Sequence, residues 1–333
     1  MKLLARLRRA FGASRAAPDG PAPAQDLRLR RAAIPVMAQG TNAWPALHAL
    51  PIEMLPVVDR PLIHYAVTEA LSAGIEELVF IVDRGKRALD EQLDLEVDML
   101  PRGVRAHFVR HNAAQGVGQA LLAARHLLDD EACAVLLPGQ VTEARPTVLA
   151  QLVAQFQRTP GSIFAVEPAT PQMTMGSEGL LETAAGDLRL ASIRRVATSL
   201  DHRPPADARL WSPVGRCILT RAVFDNLEQM ADAQSPHTGD LRDVIEAVLR
   251  TEPAFSYRYS GRCFDCASPL RWLEANLVQA LEHPQLAGEF QHLLRQTAQF
   301  VPVNEDLSQA QARALPTGAA AVTGRPRLRL VRS

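Results

Sequence analysis

The stretch IPVMAQGTNAWPALHALPIEMLPVVDRPLIHY, Ile34 to Tyr65, decides the fold. An apolar run of strand length, Ala32 to Ala38, feeds a long loop that carries Gly40 and Thr41 and is punctuated by Pro45, Pro51 and Pro56. From Pro61 to Ala73 the apolar residues Leu62, Ile63, Ala66, Val67 and Ala70 recur at helical spacing, and Gly74 stops the pattern. A second strand, Glu77 to Val82, follows at once. Strand, loop, helix and strand in that order are the opening of a parallel sheet joined by crossover helices.

Outward from this unit the alternation continues. An acidic helical segment spans Arg87 to Leu100, a strand Val104 to Arg110, a helix Gly118 to Leu128 and a strand Ala132 to Leu137. A further helix, Pro146 to Arg158, leads to the strand Ser162 to Val166. Beyond it come short strands with glycine turns at Gly176, Gly179 and Gly186-Asp187, and then two more helices. The expected fold is α/β, three-layer and doubly wound, with a mostly parallel Rossmann-like sheet, a β-rich insertion and C-terminal helices. In such a sheet the ligand crevice lies beyond the carboxyl ends of the strands. The loops after Ala38, Arg110, Leu137 and Val166 are therefore the ones to read.

The chain has 333 residues, 47% hydrophobic and 22% charged, enough apolar material for a sizeable core. Its zero formal charge hides an asymmetry. Residues 1–31 hold eight Lys or Arg and two acids, residues 321–333 hold four Arg and no acid, and the body between is net −10. An acidic body is the wrong sign for a dedicated nucleic-acid binder, which must neutralise phosphates. Met1 to Phe11, MKLLARLRRAF, reads either as a short basic amphipathic helix able to touch a membrane surface or as a disordered basic extension. Its apolar run is too short to span a bilayer. Residues 1–30 are assigned to this tail, 31–285 to the main domain, and 286–333 to a C-terminal helix with a frayed basic end. Four scattered cysteines make no disulfide framework and favour a reducing, cytoplasmic setting. Cys263-x-x-Cys266 is a lone CxxC, weak as a metal or redox signature.

The opening segment resembles bacterial UTP-glucose-1-phosphate uridylyltransferases, members of the sugar-phosphate nucleotidyltransferase family. The EMLP…D.PLI string, Glu53 to Ile63, is its most specific piece. Gln115-Gly116-Val117-Gly118, Leu136-Leu137-Pro138, Val166-Glu167-Pro168, Val214-Gly215-Arg216 and Phe264-Asp265-Cys266 follow in the same order, so the similarity runs from about Ala33 to Ala280. The resemblance implies a nucleotidyltransferase fold whose β-rich insertion lies on the sugar side. It also implies a reaction in which glucose-1-phosphate attacks the α-phosphorus of UTP, giving UDP-glucose and pyrophosphate with Mg²⁺.

Residue by residue, however, the resemblance is broken where charge is needed. The glycine-rich loop, similar to GLGTR in the family, keeps Gly40 and Thr41 but has Ala38 for its first glycine and Asn42 for its arginine. Ile52 stands at a phosphate-facing lysine, and His48 at a neighbouring lysine. Leu137-Pro138-Gly139 replaces L-P-D, so Gly139 stands at one metal-binding aspartate while Asp265 matches the other. For nucleotide binding the resemblance assigns Ala38, Gly40, Thr41, Glu53, His111 and Gly116, with His111 for a glutamine and Gln115 for a lysine. For the sugar phosphate it assigns Gly176, Gly215, Arg194 and Arg195, the two arginines standing at V-E-K-P.

Losing one preorganised stabiliser typically costs about 10²- to 10³-fold in rate. Three such losses, at Asn42, Ile52 and Gly139, lower the rate by at least ~10⁴-fold even with non-additivity. The expectation is a catalytically impaired or inactive family member, a pseudoenzyme acting as a nucleotide- or nucleotide-sugar-binding regulatory subunit. An active uridylyltransferase with a rebuilt phosphate site, using Mg²⁺, is the alternative, and a purely protein-contacting role is a third. UTP, glucose-1-phosphate or UDP-glucose are the expected ligands. The resemblance further implies a homo-oligomer, or a hetero-oligomer with an active family member.

Overall fold

The computed structural model describes residues 28–36, 51–83, 93–94, 96–98, 100–111, 116–128, 131–169, 179–184, 189–197, 208–232 and 240–298. The opening unit forms as its pattern requires. Strand β1 (Arg31–Val36) is buried along nearly all its length, and helix α1 (Leu62–Ser72) turns Ile63, Ala66, Val67 and Ala70 into the core. Gly74 ends the helix with φ +84°, a conformation that favours glycine. Strands β4 (Glu77–Asp83), β5 (Arg105–His111) and β6 (Cys133–Leu136) then join β1 in a parallel array of order β5-β4-β1-β6. Two short helices, α2 (Gly116–Ala123) and α3 (Arg125–Leu128), stand where one helix to Leu128 is expected.

Past β6 the sheet departs from the mostly parallel expectation and is mixed. β11 (Ala208–Leu219) runs antiparallel between β6 and β8 (Ser162–Pro168), and β12 (Ala254–Arg258) pairs parallel with β8. β10 (Leu190–Ala197) is antiparallel to β12 and to β9 (Leu180–Ala184), and β9 pairs back onto the start of β11. The reason lies in β11, a 12-residue strand with Pro213 inside it. Its register with β8 shifts between Pro213 and Cys217, which lets its two halves serve different partners. Five strands thereby close on one another, a sheet solution that leaves fewer exposed edges.

Alternate strand residues feed two separate cores. Ile34, Phe80, Leu136 and Ile163 pack with α1 and α4 (Val148–Phe156). Ala33, Val79, Val135 and Phe164 pack with α2, α5 (Ala222–Asp232) and α6 (Leu241–Thr251) on the other face. A third, smaller core contains Leu55, Val57, Leu62, Val141, Phe264, Cys266, Ala275 and Val278. It joins the hairpin β2 (Pro56–Val57) and β3 (Arg60–Pro61) to the ribbon β7 (Gln140–Glu143) and β13 (Arg262–Asp265), and to helix α7 (Pro269–Glu282). The chain divides into two compact units at Gln279/Ala280. The second contains α8 (Ala287–Ala298), none of whose residues is buried. No helix among the described residues is long and apolar enough to cross a membrane.

Candidate functional site

The loop after β6 rests on a buried ion pair. Arg216 is completely buried, and its Nε donates to Glu69 Oε2 at 2.7 Å. Its Nη1 donates to the carbonyls of Leu137 and Gly215, both at 2.9 Å, and its Nη2 to that of Gln140 at 3.0 Å. Glu69 in turn accepts from Thr142 Oγ1 and from the Leu149 N–H, each at 2.9 Å. A buried charge pair is tolerable only when its lone pairs and protons are met in this way. Gln140 completes the frame, its Oε1 accepting the Gly215 N–H at 2.7 Å. Gly215 has no side chain because there is no room for one: a Cβ there would lie 2.6 Å from Leu137 Cβ. Its presence is thus explained by close backbone packing.

On this frame the antiparallel ribbon brings distant positions together. Asp265 pairs with Gln140, and the Cys266 N–H donates to the Gly139 carbonyl at 3.1 Å. Positions 139 and 265 therefore meet, although they are far apart in sequence. Asp265 is reached by water yet flanked by protein. Desolvation is the largest influence on its carboxyl and raises its pKa, against the Ala267 N–H that its Oδ1 accepts at 3.0 Å and the nearby Arg271 charge. Ile52 covers the same spot: a Cβ on Gly139 would touch Ile52 Cδ1 at 3.7 Å and Cγ2 at 3.8 Å.

The EMLP…D.PLI string builds the wall beside it. Ile52–Met54 is a 3₁₀ turn that buries Glu53. In the following hairpin Val58 takes φ +60°, a strained value for a β-branched residue. Helix α7 holds that turn. Asn276 Oδ1 accepts the Val58 N–H at 2.8 Å, and Trp272 Nε1 donates to the Pro56 carbonyl at 2.9 Å. Tyr65 donates to the Val57 carbonyl at 2.8 Å, and burial, with Asp59 next, pushes its phenol up to about 12.

Across the β9–β10 pair, Arg195 is opposite Glu182. Its Nε and Nη2 both donate to Glu182 Oε2, at 2.9 and 2.7 Å, so its charge is compensated by a buried carboxylate. Arg194, on the same strand, is exposed. Gly179 enters β9 with φ +70°, and a Cβ there would lie 2.7 Å from Val196 Cγ1. His111 ends β5 and Gly116, with φ +83°, begins α2. Ala38, Gly40, Thr41, Asn42, His48, Gln115 and Gly176 lie outside the described residues.

A magnesium ion finds few protein donors in this geometry. Gly139 offers no side-chain oxygen and faces two methyl groups of Ile52. Among the described residues no three His, Cys, Asp or Glu side chains are grouped so as to hold a metal. Asp265 would be the sole protein carboxylate of the expected pair, so the residues present do not fit the two-aspartate arrangement. Cys263 and Cys266 are free, buried thiols. Cys263 Sγ reaches Gln140 Oε1 at 3.5 Å, and burial, reinforced by Glu167, drives its pKa well above the ordinary value. Burial, with Asp265 beside it, pushes Cys266 up to about 12. Protonated, buried thiols are packing groups.

The Arg216–Glu69–Gln140 frame is the part of the site that sequence reading passed over. An arginine inside the apolar run Val214 to Leu219 is the signal that marks it. Comparison with known proteins gives the wider setting. A family model described as nucleotidyl transferase matches residues 38–259. The UTP--glucose-1-phosphate uridylyltransferase of Haemophilus ducreyi is 28% identical over 293 residues, 80% of this chain and 98% of that protein. The protein of the same name from Streptococcus pneumoniae is 29% identical, over 81% and 96%. A solved UDP-glucose pyrophosphorylase from Acinetobacter baumannii superposes with TM-score 0.68 at 27% identity, over 81% of this chain and all of that one. A UTP-bound structure from the same organism gives TM-score 0.67 at 26%, over 80% and 99%.

Proposed function

Because the chain belongs to the nucleotidyl transferase family, we propose that it is a relative of the UTP-glucose-1-phosphate uridylyltransferases that binds a uridine nucleotide or nucleotide sugar with catalysis impaired. One observation carries this reading. Ile52 lies in van der Waals reach of position 139, so an apolar contact fills the place where a lysine and a metal-binding aspartate would stand. Joining two polyanions requires fixed positive charge at the reacting phosphates. An isoleucine over a glycine supplies none, and the nearby Arg271 is engaged by Glu274 Oε2 at 2.6 Å.

The frame beneath is intact, which supports binding without turnover. Glu53, His111 and Gly116 border the nucleotide side, and UTP is the ligand named for one of the similar structures. The chain is a regulatory or structural subunit in this reading. Leu270, Leu273 and Leu277 of α7 are exposed at helical spacing, a face that a second subunit would cover. The four buried free cysteines suit a cytoplasmic, reducing setting.

Two assays on the full chain decide it. With UTP, glucose-1-phosphate and Mg²⁺, pyrophosphate release is expected at background, while isothermal titration with UTP or UDP-glucose is expected to saturate. Turnover near ~1 s⁻¹, an ordinary enzyme rate, would overturn the proposal. Absence of both turnover and binding would leave the fold to protein contacts alone and overturn it equally.

A further inference from the structure

The hairpin beside the crevice cannot support itself. Its strands β2 and β3 contribute two residues each, and Pro56 faces Pro61, neither of which has a backbone N–H to donate. A two-stranded hairpin is marginal even with a full ladder. The sequence of its loop also opposes the geometry. Val58 and Asp59 form a two-residue connection in which only the first residue takes positive φ, a place where glycine is expected. Among the described residues Val58 is the one non-glycine with positive φ, at +60°. A β-branched residue stays there only where its surroundings over-determine it.

Those surroundings include a helix more than 200 residues further along the chain. Asn276 Oδ1 accepts the Val58 N–H at 2.8 Å, while its Nδ2 donates to the Trp272 carbonyl at 2.8 Å, which fixes the orientation of the amide. Trp272 Nε1 donates to the Pro56 carbonyl at 2.9 Å. Trp272 and Asn276 are one helical turn apart, so a single face of α7 grips the hairpin at two points. Ala275 and Val278 of the same helix enter the third core beside Leu55 and Val57, and no residue of α7 enters either larger core.

Ile52 belongs to the same short stretch. The Leu55 N–H donates to the Ile52 carbonyl at 2.9 Å and the Leu62 N–H to the Leu55 carbonyl at 3.1 Å, so the 3₁₀ turn and the hairpin are tied by hydrogen bonds. Ile52, Val58 and Trp272 all pack against the third core. We propose that α7 is a strap, in which Trp272 and Asn276 are positioning residues that hold the strained Val58 turn and, through it, keep Ile52 over Gly139. Release of the strap lets Val58 leave the left-handed region and carries Ile52 away from position 139. This inference does not depend on the proposed function, because the turn and the contact are themselves what is measured.

Two measurements on the full chain test it: hydrogen exchange across residues 51–62 with β4 as control, and the nuclear Overhauser contact between the Ile52 δ1 methyl and the Gly139 α protons. The parent is expected to show that contact, since a Cβ on Gly139 would lie 3.7 Å from Ile52 Cδ1. Asn276→Ala is expected to speed exchange in the hairpin at least about ten-fold, to leave β4 unchanged and to weaken the contact. Asn276→Asp keeps an acceptor oxygen for the Val58 N–H and is expected to stay within about three-fold of the parent. Val58→Gly removes the strain that the strap opposes. Added to Asn276→Ala, it is expected to restore both protection and contact, which it would not do if only packing had been lost. No change in Asn276→Ala, a rise shared equally by β4, exchange in Asn276→Asp as fast as in Asn276→Ala, or no rescue by Val58→Gly overturns the proposal.

Discussion

Beneath residues 137–140, Arg216 makes four hydrogen bonds from a site closed to water, and Glu69 answers its charge while accepting two further hydrogen bonds, from Thr142 and Leu149. Above the same residues, Ile52 and the bare Cα of Gly139 face each other with no charge between them. The lower layer carries the position of the loop and the upper layer would carry the reaction. Folding constrains only the first. An unpaired buried charge destabilises the whole domain, whereas loss of a surface charge at a crevice removes an activity and leaves the fold intact.

Restoring the upper layer tests that division with the largest expected effect. The combined variant Ala38→Gly, Asn42→Arg, Ile52→Lys and Gly139→Asp is expected to raise pyrophosphate release from background by about 10³- to 10⁴-fold, three electrostatic groups having returned at once. Gly139→Asp alone is expected to gain less than about ten-fold, because its carboxylate would lie against the Ile52 methyls with no lysine beside it. Equal gains from the single and the combined variant would show that the other three changes contribute nothing.

Breaking the lower layer comes next. Arg216→Met leaves Glu69 buried without its partner and is expected to cost about 3–5 kcal/mol in urea unfolding. Glu69→Gln with Arg216→Met removes both charges and is expected to recover a substantial part of that loss. A merely local effect of Arg216→Met would mean that the loop does not depend on the pair.

Much of the first half of the fold is legible in the sequence because its information is local. Helix α1 announces itself through Ile63, Ala66, Val67 and Ala70, and β4 through the uninterrupted apolar run Leu78 to Val82 between Glu77 and Asp83. What sequence does not display is who pairs with whom. The region after Val166 reads only as short strands with glycine turns, yet it contains the 12-residue β11, whose register shift between Pro213 and Cys217 lets five strands close together in a mixed sheet. The same limit governs the site. Glu69 and Arg216 are 147 residues apart, and positions 139 and 265 meet only through the β7–β13 ribbon. Motif order locates such residues one at a time. Only packing shows that Ile52 lies on Gly139.

Gly179, at the start of the β9–β10 pair, sharpens the contrast with a smaller effect. Its φ of +70° and the 2.7 Å approach of Val196 make Gly179→Ala strained in backbone and in contact, with an expected loss of about 1–3 kcal/mol by thermal unfolding. Glu182→Gln, which loosens Arg195 from its buried partner, is expected to disturb binding of glucose-1-phosphate more than that of UTP. Equal effects on both ligands would detach Arg195 from the sugar side.

Asp265 gives the smallest effect and the one that divides the two layers most directly. Burial raises its carboxyl pKa above the ordinary 3.8, so the native state holds the proton more tightly than the unfolded chain. Folding therefore gains from this group below pH 3.8 and loses that gain as pH rises through the folded value. At pH 7 the ionised carboxylate is a small burden on the fold. Asp265→Asn is expected to raise stability there by less than about 1 kcal/mol, because water reaches the group and screens it. Relative to the parent, that advantage should shrink as the pH is lowered through the folded pKa. A working metal ligand behaves oppositely: Mg²⁺ with UTP would raise the parent's melting temperature and leave the variant's unchanged. That outcome would place Asp265 in a functioning phosphate site and reverse the reading of the upper layer.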